Sequence, residues 1–589
     1  MARRWIVGVA LLLAAPVYAQ EALPRTALSF QVDVTDPASA HIQVSLEVAH
    51  NTQDELRLAI PAWAPGAYRV VKYSRAVRNV RASGKGGAKL DVWPEDDQTW
   101  KVKTGGAATV TVQYELSVEA SRMDKDHCFI AGPDTYFYLR DRKDTPCAVR
   151  FKLPEGWRVG TGLDRDGELY KARDYDTFID CPTELGTFDL VEFEADQAKY
   201  QLVIHARGPV DGQKLSDMCR KIVREQNKIF GAVPFERYVF FYHFNDRPGG
   251  RGLEHLNSTD ISMTYAAIKA YPLLAASVSS HEYFHLWNVK RIRPFELGPF
   301  DYTKAVPTQA LWFCEGVTSY VGDRSLARCG IWSEEQYLAH LAGEVETLQN
   351  NPDRKVTSVE KASSTVWDRK DYPRVDYYNK GELLGLLIDV KMRTGSDGKK
   401  TMDDLFRHLY KVCCQEPAKA GKGWIGVGFA EDGLLRALNE VSGGEWNEFY
   451  GKYISGVEEL PYTEVLGPAG LLADVQVNRS ASFGMDLRGT LVQVLSPGGP
   501  AQKAGLERGD RLKAINGVDV ARDTIRDEMA KLKVGEEATV KVERNGGTIE
   551  VKVQAIERER TSCKIRRAPA PTPAQKRLLD SWLGKHSEF

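Results

Sequence analysis

The five residues His281-Glu282-Tyr283-Phe284-His285 constrain this chain more than any other feature. On an α-helix, side chains four apart share a face, so both imidazoles can meet one metal ion. Glu282 then lies beside that ion, where it can take a proton from a bound water. Ser279 and Ser280 precede the motif and apolar residues run through it. The pattern predicts a helix over residues 273–289. Such a site needs a third ligand and a fourth position left for water.

A metzincin arrangement would place glycine at 288 and histidine at 291. The chain has Asn288 and Arg291, which excludes it. The other solution is a glutamate on a following helix. Trp312-Phe-Cys-Glu315-Gly-Val-Thr-Ser-Tyr320 supplies one, inside a helical pattern over residues 308–328. A carboxylate among Trp312, Phe313 and Val317 is costly unless it binds a metal or a cation. Glu296 competes for this place, from a Pro-flanked stretch. Cys314 is offset about 100° from Glu315 on a helix, so core packing suits it better.

Two further segments carry chemistry. Tyr378-Asn-Lys-Gly381 opens another helical run. A phenol there can donate a hydrogen bond to a tetrahedral oxyanion, and Tyr377 is the alternative donor. Upstream, the glycine-rich run from Arg247 to His255 contains Glu254. Glycines let backbone approach a peptide closely, and Glu254 is placed to pair with an α-ammonium.

At 589 residues the chain is too long for one core. Alternating strands at 27–34, 41–48, 109–117 and 200–205 predict a β-sandwich-like domain over residues 25–200. Helical periods at 212–230, 333–349, 379–393 and 402–412 predict an α-rich domain over 201–462, with a strand at 237–243. Short glycine-rich strands follow over 465–557. Residues 558–589 read as a stiff Pro-containing linker and a short amphipathic helix. The fold class is therefore multidomain α+β.

At the N-terminus, Arg3 and Arg4 precede an apolar run that ends in Val17-Tyr18-Ala19. Residues 1–19 read as a secretory signal peptide. No second apolar run follows, so no membrane span is expected in the mature chain. With 79 Lys+Arg against 80 Asp+Glu, the charge gives no support for a nucleic-acid binder. The nine cysteines are odd in number and show no Cys₄ zinc spacing. They read as buried small hydrophobes rather than a disulfide framework.

Taken together, these motifs resemble the glycyl aminopeptidases, gluzincin-type zinc metallopeptidases with a C-terminal PDZ domain. The residues that carry the likeness are Pro61–Tyr68, Gly252–His255, His281–Pro294, Trp312–Tyr320 and Tyr378–Gly381. The resemblance implies a thermolysin-like catalytic domain behind the β domain. It implies one Zn²⁺ per chain held by His281, His285 and Glu315, with Glu282 as general base and Tyr378 as oxyanion donor. Gly252-Leu253-Glu254-His255 looks like the loop that holds the free N-terminus of a peptide in aminopeptidase N-like enzymes. A preference for N-terminal Gly or Ala and a bacterial periplasmic location follow by the same analogy. Val321 stands where the family pattern suggests a second aromatic.

Gly499–Gly517 looks like a PDZ core signature, with Ser482-Phe483-Gly484-Met485 as its carboxylate-binding loop for a peptide C-terminus. The alternative is a groove filled by the chain's own residues after Arg558. Two other functions stay open at this stage. One is a zinc endopeptidase whose PDZ domain recruits substrates. The other is a non-catalytic PDZ scaffold.

Overall fold

The computed structural model describes residues 28–119, 121–368, 375–423 and 425–585. Residues 1–19, expected to be a signal peptide, lie outside them. The chain divides into two compact units. One holds the described residues up to Gly212, Phe235–Ala270 and Phe300–Ala305. The other holds Gln213–Pro234, Tyr271–Pro299 and the chain from Val306 onward.

The first unit is β-rich. Strands Leu28–Asp33, His41–Ala49 and Thr109–Ser117 lie side by side in an eight-stranded sheet. Each buries every second residue: Phe30 and Val32, then Val44 and Leu46, then Val112 and Tyr114. A strand places alternate side chains on opposite faces, so this alternation dictates one apolar face. That face shares a core with Leu56, Leu58 and Val102 of a four-stranded sheet. The arrangement is the expected sandwich of two sheets.

The same unit contains a mixed five-stranded sheet. Its order is Asp189–Ala195, Ala198–Ala206, Arg237–Asn245, Ser258–Thr264 and Gly250–Glu254. The third strand pairs in parallel with both neighbours. It is buried along most of its length, which is why Tyr-Val-Phe-Phe-Tyr-His-Phe reads as a continuous apolar run.

A buried chain of charge joins this sheet to a small three-stranded one. Glu184 Oε1 lies 3.0 Å from His127 Nδ1, and its Oε2 lies 3.0 Å from His243 Nε2. His243 Nδ1 in turn meets Asp260 Oδ1 at 2.8 Å. Burial opposes charge on Glu184, His243 and Asp260, yet the hydrogen bonds win. Glu184 and Asp260 are held at about 2, and His243 is raised to about 10.

The second unit is mainly helical. Helix Gly212–Phe230 enters it, followed by Ala276–Phe284, Thr318–Arg328, Glu334–Gln349, Tyr377–Gly395 and Met402–Tyr410. The strands over 485–554 form a sheet around Phe483, Val492, Leu512 and Val540. Among the described residues no helix is long and apolar enough to cross a membrane. All nine cysteines are free thiols and eight are buried.

The tail differs from the linker expected at 558. Ile556–Arg567 is a strand, paired antiparallel with Leu471–Ser482 along its whole length. Thr561, Cys563 and Ile565 face inward, and Ser562, Lys564 and Arg566 alternate with them on the exposed face. The ribbon rests on helix Glu334–Gln349, where the Cys563 N–H donates to Glu346 and the Asn350 amide to the Thr561 carbonyl. Helix Pro573–Trp582 follows, close to the expected one. It buries Trp582, whose indole N–H donates to the Tyr320 hydroxyl at 2.8 Å.

The charge chain predicts a pH profile for stability. Glu184 and Asp260 titrate lower folded than unfolded, so their contribution is complete above about 4.5 and is lost toward pH 2. His243 titrates higher folded than unfolded, so its contribution is complete below about 6.5 and fades as pH rises through 10. Glu184→Gln should cost on the order of 3 kcal/mol near pH 6 and much less at pH 10. Thermal melts of both proteins across pH measure this.

Candidate active site

The two motif histidines keep helical spacing although the helix is shorter than expected. Helix Ala276–Phe284 ends at His285, which still has helical backbone angles (φ −59°, ψ −20°). The His285 N–H donates to the His281 carbonyl at 3.3 Å. The two Nε2 atoms therefore converge to 2.9 Å. Glu315 Oε2 completes a triangle, 3.4 Å from His281 and 3.2 Å from His285. Ligands bonded tetrahedrally to zinc stand about 3.3 Å apart, so this donor set fits that ion and leaves a position for water.

The electrostatics agree with that fit. Burial pushes the Glu315 carboxyl up, but the two imidazoles pull it well below the usual carboxylate range. Burial and the neighbouring His285 push His281 down, toward the neutral form that binds metal.

Both imidazoles are oriented from behind. His285 Nδ1 donates to the Asn288 carbonyl at 2.6 Å. The Ser319 hydroxyl donates to the Glu315 carbonyl at 3.2 Å, so at 3.1 Å it accepts from His281 Nδ1. Each Nε2 then carries its lone pair inward. The Asn288 amide also donates to the Phe313 carbonyl and to Thr318, which flank Glu315. Neither Asn288 nor Ser319 stood out in the sequence as a supporting residue. Their only signal is position: three after the second histidine, and four after the glutamate.

Glu315 sits in a π-helical turn, Trp312–Val317, that continues as helix Thr318–Arg328. The expected single helix is thus widened at the glutamate, as is frequent at functional sites. Gly316 and Gly381 meet back to back. A Cβ on Gly316 would lie 2.4 Å from Gly381 Cα, and one on Gly381 would lie 2.3 Å from the Trp312 carbonyl. Only glycine at both positions lets helix Tyr377–Gly395 come this close. Its first turn then brings the Tyr378 ring to 5.9 Å from the His281 ring. Tyr378 is 37% exposed, whereas Tyr377 is 6% exposed and stacks on it. Of the two candidates, Tyr378 is the one available to a substrate.

A second polar cluster braces these helices. The Ser277 hydroxyl, one turn before His281, donates to Asp323 at 2.7 Å. His340 Nε2 lies 3.1 Å from the other Asp323 oxygen and 2.8 Å from Glu382, one turn beyond Tyr378. Burial opposes charge on His340, but the two carboxylates raise it to about 11. Glu382 is raised to about 7, by burial first and by Asp323 next in the same direction. These residues lie far apart in sequence and form no motif there.

All but Cys314 of the other sequence candidates sit on other elements. Cys314 is fully buried. Glu296 is half-buried in a 3₁₀ turn, Phe295–Leu297, outside the histidine cluster. Gly252, Leu253 and Glu254 lie in strand Gly250–Glu254 of the first unit, and His255 follows it. His255 Nδ1 meets Asp180 at 3.1 Å, so it anchors the loop. Glu254 is 4% exposed, and among the described residues no donor reaches its Oε1. In the PDZ loop, Phe483 and Met485 belong to the core, and the Gly484 N–H donates to Ser482 Oγ. Arg558 donates to the Met485 carbonyl at 3.3 Å and pairs with Asp486 at 2.8 Å. The chain's own tail strand thus caps one end of the edge strand that the loop begins.

The family model of the peptidase M61 N-terminal domain matches residues 29–187. That of the M61 glycyl aminopeptidase matches 275–384, and that of the PDZ domain 469–555. No curated protein matches the chain. Among solved structures, an aminopeptidase N family protein from Idiomarina loihiensis is similar over 94% of this chain and 100% of its own. The two are 25% identical, with a TM-score of 0.84. An M1 zinc metallopeptidase from Deinococcus radiodurans shares 13% identity over 74% of this chain and 94% of its own, with a TM-score of 0.47. Yeast LTA4 hydrolase in complex with bestatin shares 15% over 74% and 67%, with a TM-score of 0.42. These last two are distant likenesses only.

Ser319→Ala should weaken zinc binding about tenfold, by releasing the His281 ring, while leaving all three ligand atoms in place. Titration of the zinc-loaded protein with a competing chelator measures this.

Proposed function

We propose that this chain, which has the domain make-up of the M61 peptidases, is a zinc aminopeptidase that removes N-terminal residues, chiefly Gly or Ala, from peptides. The observation that carries this reading is the buried triangle of two imidazoles and one carboxylate. His281, His285 and Glu315 would hold one zinc ion. Bound there, zinc supplies a Lewis acid that polarises the scissile carbonyl and acidifies the attacking water.

The chain's own groups do the rest. Glu282 takes the proton of the attacking water and passes it to the leaving amine. Tyr378 donates its phenolic hydrogen to the carbonyl oxygen as negative charge builds there. Glu254 pairs with the substrate's α-ammonium. A buried carboxylate with one oxygen that no donor reaches among the described residues favours a cation, which supports that role. The preference for small N-terminal residues rests on the glycyl aminopeptidase match. Export rests on residues 1–19, and a periplasmic site of action is part of the same proposal. The PDZ domain is read as a peptide-binding module that Arg558 restricts.

Glu282→Gln should leave zinc content unchanged and lower kcat by about 10³-fold or more. Tyr378→Phe should lower kcat by about 10²–10³-fold with little change in KM, and Tyr377→Phe should change neither by much. Metal analysis with steady-state kinetics on one Gly-initiated peptide tests these together. Near-wild-type turnover by Glu282→Gln would contradict the mechanism.

A further inference from the structure

The segment Pro61-Ala-Trp-Ala-Pro-Gly-Ala-Tyr68 has so far been given no task. Ala64-Pro65-Gly66-Ala67 is a tight turn, closed by the Ala67 N–H donating to the Ala64 carbonyl at 3.1 Å. Proline stands second and glycine third, with φ +87° at Gly66. That is the residue pattern of a type II turn. Its base is firmly held. Trp63 is buried and its indole N–H donates to the Asp301 carbonyl at 2.8 Å. The Ala62 N–H donates to the Tyr302 carbonyl at 2.8 Å, and the Ala62 carbonyl accepts from Val71 at 2.8 Å. Tyr68, also buried, has a left-handed backbone (φ +42°), which costs on the order of 1 kcal/mol and persists only where its surroundings impose it.

The tip of this held turn lies against Glu254. A Cβ on Gly66 would fall 2.5 Å from Glu254 Oε2, 2.7 Å from Oε1 and 2.7 Å from Leu253 Cδ1. A Cβ there would push these side-chain ends aside, so the bare glycine backbone is the surface on which the carboxylate rests as it stands. We propose that Gly66 is a positioning residue, setting the Glu254 carboxylate and hence the register at which a peptide's α-ammonium is held. This rests on the reading of Glu254 as the ammonium partner.

Two competitive inhibitors separate that role from general support of the fold. Glycine hydroxamate carries an amine and a zinc-binding group. Acetohydroxamate carries only the zinc-binding group. In the zinc-loaded full chain, Gly66→Ala should raise Ki for glycine hydroxamate about tenfold and leave Ki for acetohydroxamate within about twofold. Glu254→Asp withdraws the carboxylate from the turn, so adding Gly66→Ala to it should cause little further loss. Pro65→Ala loosens the turn without adding an atom at Gly66. It should produce a smaller selective rise, and it serves if Gly66→Ala does not fold. An equal effect of the turn variants on both inhibitors, or none on either, overturns the inference. If Glu254→Gln also spares glycine hydroxamate, the ammonium role of Glu254 falls as well. If only Glu254→Gln is selective, the positioning role of Gly66 alone falls.

Discussion

The helical unit is organised around one desolvated carboxylate. Glu315 is buried beside Trp312, Phe313 and Val317, where an isolated charge would cost several kcal/mol. Two imidazoles oppose that cost from one side, and they arrive there because a helix returns to the same face after four residues. Much of the nearby structure serves this meeting. Asn288 and Ser319 hold the imidazole rings, the π-helical turn aims the carboxylate, and the Gly316–Gly381 contact brings up the helix that starts with the two tyrosines.

What could be read from residues alone follows this physics. The three candidate ligands were legible because helical spacing and an anomalous acid in an apolar run are local signals. The strands were legible where one face is buried, as in His41–Ala49. Helix Gly212–Phe230 lies where its period predicts it. Element ends were less legible. The motif helix stops at Phe284 and gives way to turns that place the Asn288 carbonyl on the His285 ring. Strand Ile556–Arg567 was obscured by charge, since only one of its faces is covered. The Ser277–Asp323–His340–Glu382 and His127–Glu184–His243–Asp260 chains have no sequence signature, because each joins elements distant along the chain.

The β-rich unit shows a different economy. Its edge strand presents a buried acid, one oxygen of which no donor reaches among the described residues, and a Pro-Gly turn stands against that acid. A deeply buried acid is costly unless a cation reaches it. A peptide's terminal ammonium is such a cation, and an internal peptide bond is not. That difference separates removal of N-terminal residues from cleavage within a chain.

The most direct measurement is hydrolysis of one Gly-initiated peptide by the zinc-loaded enzyme, with its N-terminus free or acetylated. The account predicts that the free peptide loses its glycine and that the acetylated peptide is not cut. Comparable cleavage of both would contradict it, and would make the chain an endopeptidase with no ammonium role for Glu254.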